Sequence, residues 1–132
     1  MEIAVLALGC FWEPEIKFSK IDGIIRTEVG YCGGNNPQTT YKEVCTGNTN
    51  HAEVVKLEFD QKIISYEKIL EYFFKFHDST TLNSQGPDIG TQYRSEIFYY
   101  FFLKLILLFF FDYHLNKIFH FCIVFQNLDL VY

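Results

Sequence analysis

The chain has 132 residues, enough for one domain with its own hydrophobic core. Its net charge of -5, with no cluster of Lys and Arg, excludes the basic surface that nucleic-acid binding requires. Four cysteines, none in a CxxC pair or at zinc-finger spacing, exclude a disulfide scaffold and a structural zinc site, and without a recognisable export signal we expect a cytoplasmic setting.

The first predicted elements are a strand and a helix that meet at a cysteine. Ile3 to Leu8 is an apolar run typical of a buried strand, and the acids and proline at 13–15 favour a helix over about 11–20. Cys10 therefore lies at a strand-to-helix turn, where the free N–H groups and the dipole of the helix favour a thiolate. The local pattern leaves two interpretations open, a reactive cysteine or a buried, inert one.

Two further segments alternate between apolar and polar residues and predict half-buried strands. In the first, Ile24 to Tyr31, one face carries Ile25, Thr27, Val29 and Tyr31. The second runs from Ala52 to Phe59. The polar stretch between them, residues 32–51, is expected to be a long functional loop.

A second helix and a last strand complete the predicted order. Ser65 is a suitable N-cap for a helix through His77, whose apolar stripe contains Tyr66, Ile69, Leu70, Phe73, Phe74 and His77. A loop over 78–92 then leads to a strand from Tyr93 to Tyr100. The order β-α-β-β-α-β predicts an α+β fold, a two-layer α/β sandwich with a ferredoxin-like core.

The composition changes abruptly after residue 100. Residues 101–132 contain 8 of the 15 phenylalanines, 2 Lys, 2 Asp and neither Gly nor Pro. Three interpretations compete: a membrane or interfacial anchor, a buried C-terminal helix, and a tail foreign to the domain, as a frameshift or truncation would produce. The apolar stretch 97–111 contains Lys104 and is short for a membrane span. The third interpretation is favoured, because the composition breaks abruptly where the preceding pattern is still regular. We therefore expect a domain over 1–100 and an aberrant tail over 101–132.

Strand alternation points to one buried acid. Glu53 shares its side of the strand with Val55, Leu57 and Phe59, so loss of hydration is expected to raise its pKa and make it a proton donor near neutrality. Because Glu53 lies at the end of the strand, the alternative that its carboxyl reaches water stays open. Together with a thiol and the phenols of Tyr41 and Tyr93, a protonated Glu53 would suit attack by sulfur on an electrophile whose oxygen gains charge.

Six short motifs, in order over about residues 4–100, closely resemble the peptide methionine sulfoxide reductases of the A class. The motifs are Gly9-Cys10-Phe11-Trp12 with Glu15, Gly30-Tyr31-Cys32-Gly33-Gly34, residues 40–47, His51-Ala52-Glu53, His77-Asp78 and residues 90–95. The resemblance implies the two-layer α/β fold of that family. It also implies reduction of the S epimer of methionine sulfoxide, free or in proteins, with no metal or organic cofactor.

The resemblance assigns roles to seven residues: Cys10, Phe11, Trp12, Tyr41, Glu53, Asp78 and Tyr93. Cys10 would be the nucleophile and Glu53 the general acid, and the two tyrosines would bind the sulfoxide oxygen. The two other aromatic residues would enclose the S-methyl group, and Asp78 would contact the substrate backbone. Cys10 would leave the reaction as a sulfenic acid, to be reduced by thioredoxin or another thiol.

The chain also departs from the family pattern. Family members usually continue with a further helix and strand and often with recycling cysteines, where this chain has its Phe-rich tail. The resolving thiol is left open between Cys32, Cys45 and none, and Cys122 lies in the tail. Asn50, where Gly is common, is expected to be tolerated. A monomer is expected; a truncated product without turnover and a membrane-tethered reductase are the alternatives.

Overall fold

A computed structural model describes residues 1–98; the end of the predicted last strand, the 1–100 boundary, the tail and Cys122 lie outside them. The elements in this part are β1 (Glu2–Leu8), α1 (Trp12–Phe18), β2 (Ile24–Cys32), α2 (Tyr41–Cys45), β3 (Ala52–Phe59), α3 (Tyr66–Phe76), β4 (Ser84–Gln85), β5 (Asp88–Ile89), a 3₁₀ helix (Thr91–Tyr93) and β6 (Ser95–Phe98).

The four longer strands form one antiparallel sheet in the order β2-β3-β1-β6. Each β-α-β unit is split, because β3 lies between β1 and β2, and β1 lies between β3 and β6. This is the ferredoxin-like arrangement that the element order predicted. The short β4 and β5 form a separate two-stranded hairpin.

Helix α3 covers one face of the sheet. The Ser65 hydroxyl accepts the Lys68 N–H at 3.2 Å and so caps the first turn. Its buried residues join apolar side chains of β1, β3 and β6 in one core: Leu6, Leu8, Val55, Leu57, Phe59, Tyr66, Ile69, Leu70, Phe73 and Ile97. The predicted stripe is confirmed for these helix positions, whereas Phe74 is only partly buried and His77 follows the helix as its C-cap.

The predicted inward face of β2 is wrong at one residue. Ile24 pairs with Phe59 and Arg26 with Glu58, so Ile25 has no partner of its own and forms a β-bulge. The extra residue turns Ile25 outward, and 59% of it is exposed. Tyr31, further along the strand, is buried as predicted.

Both predicted loops contain short elements. Residues 32–51 include α2, which begins at a capping box: the Thr40 N–H donates to Glu43 Oε2 at 2.7 Å, and the Thr40 hydroxyl accepts the Glu43 N–H at 3.4 Å. Residues 78–92 include the β4–β5 hairpin and the 3₁₀ helix, so Tyr93 precedes the last strand instead of starting it. Within residues 1–98, no helix has the length and hydropathy needed to cross a bilayer.

Candidate active site

Cys10 lies where β1 turns into α1. Gly9 has a φ of +89°, and a Cβ on it would lie 2.7 Å from the Cβ of Gln85, so this tight turn requires glycine. Phe11 is the N-cap residue and Trp12 begins the helix. The turn leaves Cys10 half-buried at the first N–H groups of α1, as the sequence predicted.

Glu53 is the buried carboxyl of the site. It is the second residue of β3, is 2% exposed, and its Oε2 accepts the Phe11 N–H at 3.2 Å. Burial raises the pKa of this carboxyl, the Phe11 N–H partly opposes that rise, and the charge of Asp88 adds to it. The expectation of an inward acid with a raised pKa is confirmed, and a hydrogen bond ties this acid to the residue after Cys10.

The thiol of Cys10 differs from expectation. Burial raises its pKa; the backbone N–H of Trp12 acts in the opposite direction, and the charges of Glu53 and Asp88 raise the pKa further. The prediction of a thiolate stabilised by the helix start is therefore wrong for the resting site, because lost hydration and two carboxylates outweigh one N–H group. A protonated Glu53 would remove one of these opposing charges.

The charge of Glu53 acts on three phenols, those of Tyr31, Tyr41 and Tyr93. Tyr31, opposite Glu53 in the β2–β3 ladder, is 7% exposed, and its pKa is raised by burial and then by the charge of Glu53. The pKa of Tyr93 is raised by the same two causes in the same order. A hydrogen bond with Cys45 is the main cause that raises the pKa of Tyr41 to about 12. All three hydroxyls therefore keep their protons near neutral pH and can donate hydrogen bonds.

Aromatic rings form a wall beside Cys10. The Phe11 ring centroid lies 6.0 Å from that of Trp12 in an edge-to-face arrangement and 5.8 Å from that of Tyr31. Phe11 is half-buried, whereas Trp12 is 67% exposed and Tyr41 is 59% exposed. The wall is therefore apolar near the thiol and open to solvent at its outer edge.

Asp88 is the acidic residue that sequence reasoning missed. Its charge raises the pKa values of Cys10, Glu53 and Tyr93. Its ladder partner is Gln85, the residue that packs on Gly9, and this pairing brings the hairpin beside the thiol. The Gly86-Pro87 turn was the sequence signal, because a tight turn there places Asp88 opposite Gln85.

Asp78 lies in the turn that precedes the β4–β5 hairpin. Its carboxylate accepts the Thr80 N–H at 2.9 Å and the Thr80 hydroxyl at 2.6 Å, and its backbone C=O accepts from the Gln85 amide at 2.8 Å. Asp78 is exposed and supports the turn that carries the hairpin. Sequence reasoning also gave Tyr31 a packing role only, although the predicted alternation placed it on the inward face of its strand.

The remaining described cysteines flank the site. Cys32 is buried at the end of β2, and Cys45 is exposed at the end of α2, next to the Tyr41 hydroxyl. In the part of the chain that the structure describes, no three His, Cys, Asp or Glu side chains are grouped so that they could hold a metal ion.

Comparison with known proteins relates this site to one family. Residues 2–101 match the family model described as peptide methionine sulfoxide reductase. Peptide methionine sulfoxide reductase MsrA of Pelagibacter ubique is 80% identical over 99 residues, which are 75% of this chain and 67% of that protein. The probable peptide methionine sulfoxide reductase of Schizosaccharomyces pombe is 57% identical over 102 residues, 74% of this chain and 60% of that protein.

Solved structures agree with the fold. Mxr1 from Saccharomyces cerevisiae in reduced form has a TM-score of 0.85 at 35% identity, covering 96% of this chain and 77% of that one. Methionine sulfoxide reductase A of Corynebacterium diphtheriae has a TM-score of 0.82 at 30% identity, with coverages of 92% and 63%. These similarities confirm the predicted α+β architecture. The chain spans about two thirds or less of the length of the curated relatives described here.

Proposed function

Because the chain belongs to the peptide methionine sulfoxide reductase family, we propose that it reduces the S epimer of methionine sulfoxide to methionine with Cys10 as nucleophile. The observation that carries the proposal is the 3.2 Å hydrogen bond from the Phe11 N–H to Glu53. It holds a carboxyl with a raised pKa beside the residue that follows the thiol. Three hydroxyl donors interact electrostatically with this carboxyl, and an aromatic wall lies next to the thiol.

The substrate is held through its S-methyl group and through its sulfoxide oxygen. Phe11 and Trp12 receive the S-methyl group, because they are the apolar surface next to the thiol. The hydroxyls of Tyr41 and Tyr93 donate to the sulfoxide oxygen, where negative charge is concentrated. Asp88 accepts a hydrogen bond from the substrate backbone or amino group, the role that sequence reasoning gave to Asp78. Asp88 suits this role because its charge reaches Cys10 and Glu53.

The chemical step transfers oxygen from one sulfur to another. Glu53 gives its proton to the sulfoxide oxygen, which makes the substrate sulfur electrophilic, and the Cys10 thiolate attacks that sulfur. The attack forms a bond between the two sulfurs. The protonated oxygen then passes to Cys10, so that an S–O bond to Cys10 forms while the S–S bond and the S–O bond of the substrate both break and methionine leaves. The substrate sulfur is thereby reduced by two electrons to a thioether, and Cys10 is oxidised by two electrons to a sulfenic acid.

The two raised pKa values are compatible with this step. The charge of Glu53 is one cause of the raised pKa of Cys10, so a state with both groups ionised is costly. Protonation of Glu53 removes that repulsion and favours the thiolate. A neutral acid beside a thiolate is the combination that the reaction needs, and the substrate oxygen then takes the proton from Glu53.

A thiol reductant, with thioredoxin as the proposed partner, returns Cys10 to its starting state. A first thiol forms a disulfide with Cys10 and releases the oxygen as water, and a second thiol cleaves that disulfide. Mxr1, which this chain resembles at 35% identity in its reduced form, has also been solved in complex with Trx2.

The proposal is tested by single turnover without reductant. The full chain should release one methionine per molecule from the S epimer and none from the R epimer. Cys10→Ser should abolish release, because an alcohol neither ionises near neutral pH nor accepts the oxygen. A full methionine yield from the Cys10→Ser variant would show that Cys10 is not the nucleophile.

A further inference from the structure

The segment that carries Tyr41 is closed at its neck by one buried imidazole. His51 is 3% exposed, its Nδ1 lies 3.2 Å from the Gly34 nitrogen, and its Nε2 lies 2.7 Å from the Asn36 carbonyl oxygen. A carbonyl oxygen only accepts hydrogen bonds, so Nε2 bears the proton and Nδ1 accepts the Gly34 N–H. Both ring nitrogens of a neutral His51 are thus used, one on each side.

The backbone around this ring is close-packed. The Asn35 N–H donates to the Thr49 C=O at 2.9 Å, across the two ends of the segment. A Cβ on Gly34 would lie 2.4 Å from both the His51 ring and the Thr49 carbonyl oxygen. No side chain therefore fits at residue 34 while the ring stays in place. Asn50 has a φ of +54°, a left-handed conformation that Asn tolerates and Gly readily adopts.

Between the two ends lies the rest of the segment, residues 37–48, with helix α2. This helix has five residues and places Tyr41 in its first turn, while Val44, 1% exposed, is its buried residue. So short a helix is not stable by itself, and its position depends on its anchors. The His51 neck and the buried Val44 are two such anchors.

We infer that His51 is a positioning residue of the site. Resting on the proposed function, its role is to hold the segment 37–48 so that the Tyr41 hydroxyl reaches the sulfoxide oxygen. His51 immediately precedes β3, two residues before Glu53. The imidazole thus fixes the tyrosine-bearing segment to the strand that carries the acid.

The first test is a double-mutant cycle with Tyr41. His51→Phe keeps an aromatic ring but removes both hydrogen bonds. The kcat should then fall about tenfold, because the segment no longer holds the Tyr41 hydroxyl in a fixed position. In a Tyr41→Phe background, the same substitution should cost less than about twofold, because the hydroxyl that it positions is already absent. His51→Asn, whose amide oxygen can still accept the Gly34 N–H, should recover part of the rate. An equal loss of kcat in both backgrounds would overturn the inference.

The second test does not depend on activity. Lys42 lies in the segment and is exposed, so trypsin cleavage after Lys42 reports opening of the neck. His51→Phe, and separately Gly34→Ala, should increase about tenfold the rate at which trypsin releases the fragment that ends at Lys42. The matched control is His77→Phe, the same substitution at a partly buried histidine outside the segment, which should leave this cleavage rate unchanged.

The two tests separate this inference from the proposed function. If the unaltered chain releases no methionine, the proposed function fails, while cleavage at Lys42 still measures whether His51 holds the segment. Equal cleavage rates in the unaltered chain, His51→Phe and Gly34→Ala would overturn the inference whatever the activity. If His51→Phe does not fold, His51→Asn disturbs the same neck by a smaller change, because its amide oxygen can still accept the Gly34 N–H.

Discussion

The two halves of the site are built on different kinds of structure. Cys10 and Glu53 stand at the ends of β1 and β3, two neighbouring strands in the middle of the sheet. Tyr41, Asp88 and Tyr93 stand on elements of two to five residues. The groups proposed to exchange the oxygen and the proton are thus fixed by the core, whereas those proposed to bind the substrate oxygen and backbone are fixed by local contacts. Substitutions in the two halves should accordingly have different consequences.

The largest expected effect is in the strand-built half. Glu53→Gln keeps the shape and the capacity to accept the Phe11 N–H but cannot give up a proton, so single-turnover kcat should fall by about 10²–10⁴. KM should change little, because the substrate contacts lie elsewhere. A kcat within about threefold of the unaltered chain would mean that the proton comes from another group.

The support of this half should make stability depend on pH. His77 links α3 to β6: its Nδ1–H donates to the Phe73 C=O at 2.7 Å and its Nε2 accepts the Ser95 hydroxyl at 2.7 Å. Burial lowers its pKa to about 4, although the Phe73 carbonyl and the charge of Asp78 oppose that change. Ser95 pairs with Leu8, two residues before Cys10.

The direction of this pH effect follows from proton binding. Between pH 6.5 and about 4 the unfolded chain binds a proton on His77 and the folded chain does not, so stability falls as pH drops through that window. The loss amounts to about 3 kcal/mol. Urea unfolding of the full chain at pH 7 and pH 4 measures this loss in the free energy of unfolding. The His77→Gln variant should show a smaller difference between the two pH values, because it lacks the group that titrates. An unchanged pH dependence in that variant would contradict a neutral His77.

Asp88 tests the link between the two halves. Its charge raises the pKa of Cys10, so Asp88→Asn should move the midpoint of Cys10 alkylation by iodoacetamide to lower pH. It should also reduce kcat/KM about tenfold through the lost substrate contact. Asp78→Asn is the matched control, and it should leave the alkylation midpoint where it is. A shift of equal size in both variants would contradict the assignment of the substrate contact to Asp88 in place of Asp78.

The inward position of Glu53 in the strand-built half was predictable from the sequence, whereas the position of Asp88 in the loop-built half was not. Alternation over eight residues placed Glu53 among buried side chains, and this burial raises its pKa. Asp88 lies in a strand of two residues, where no periodicity exists to read. Its position depends on the pairing of Gln85 and on the contact with Gly9, both of which are tertiary.

Two errors in the strand-built half have physical causes of their own. Ile25 faces outward because one extra residue in β2 shifts the alternation, and a bulge is not visible in a hydrophobic pattern. The thiol of Cys10 has a raised pKa because desolvation and two nearby carboxylates outweigh the helix start. One of those carboxylates, Asp88, is supplied by the part of the fold that the sequence did not predict.

The smallest expected effects come from substitutions at two helix caps, one of which supports the loop-built half and the other the core. Thr40 caps α2 in the loop-built half, and Ser65 caps α3 against the core; replacing either with Ala should cost about 1 kcal/mol locally. Because α2 is short and exposed, Thr40→Ala should lower kcat/KM a few-fold and barely change the melting temperature. Ser65→Ala should lower the melting temperature by a few degrees with little change in kcat/KM, because α3 packs on the sheet and carries no group of the site. If both variants lost stability and activity in the same proportion, the loop-built half would be part of the cooperative core, and its elements would not be fixed by local contacts alone.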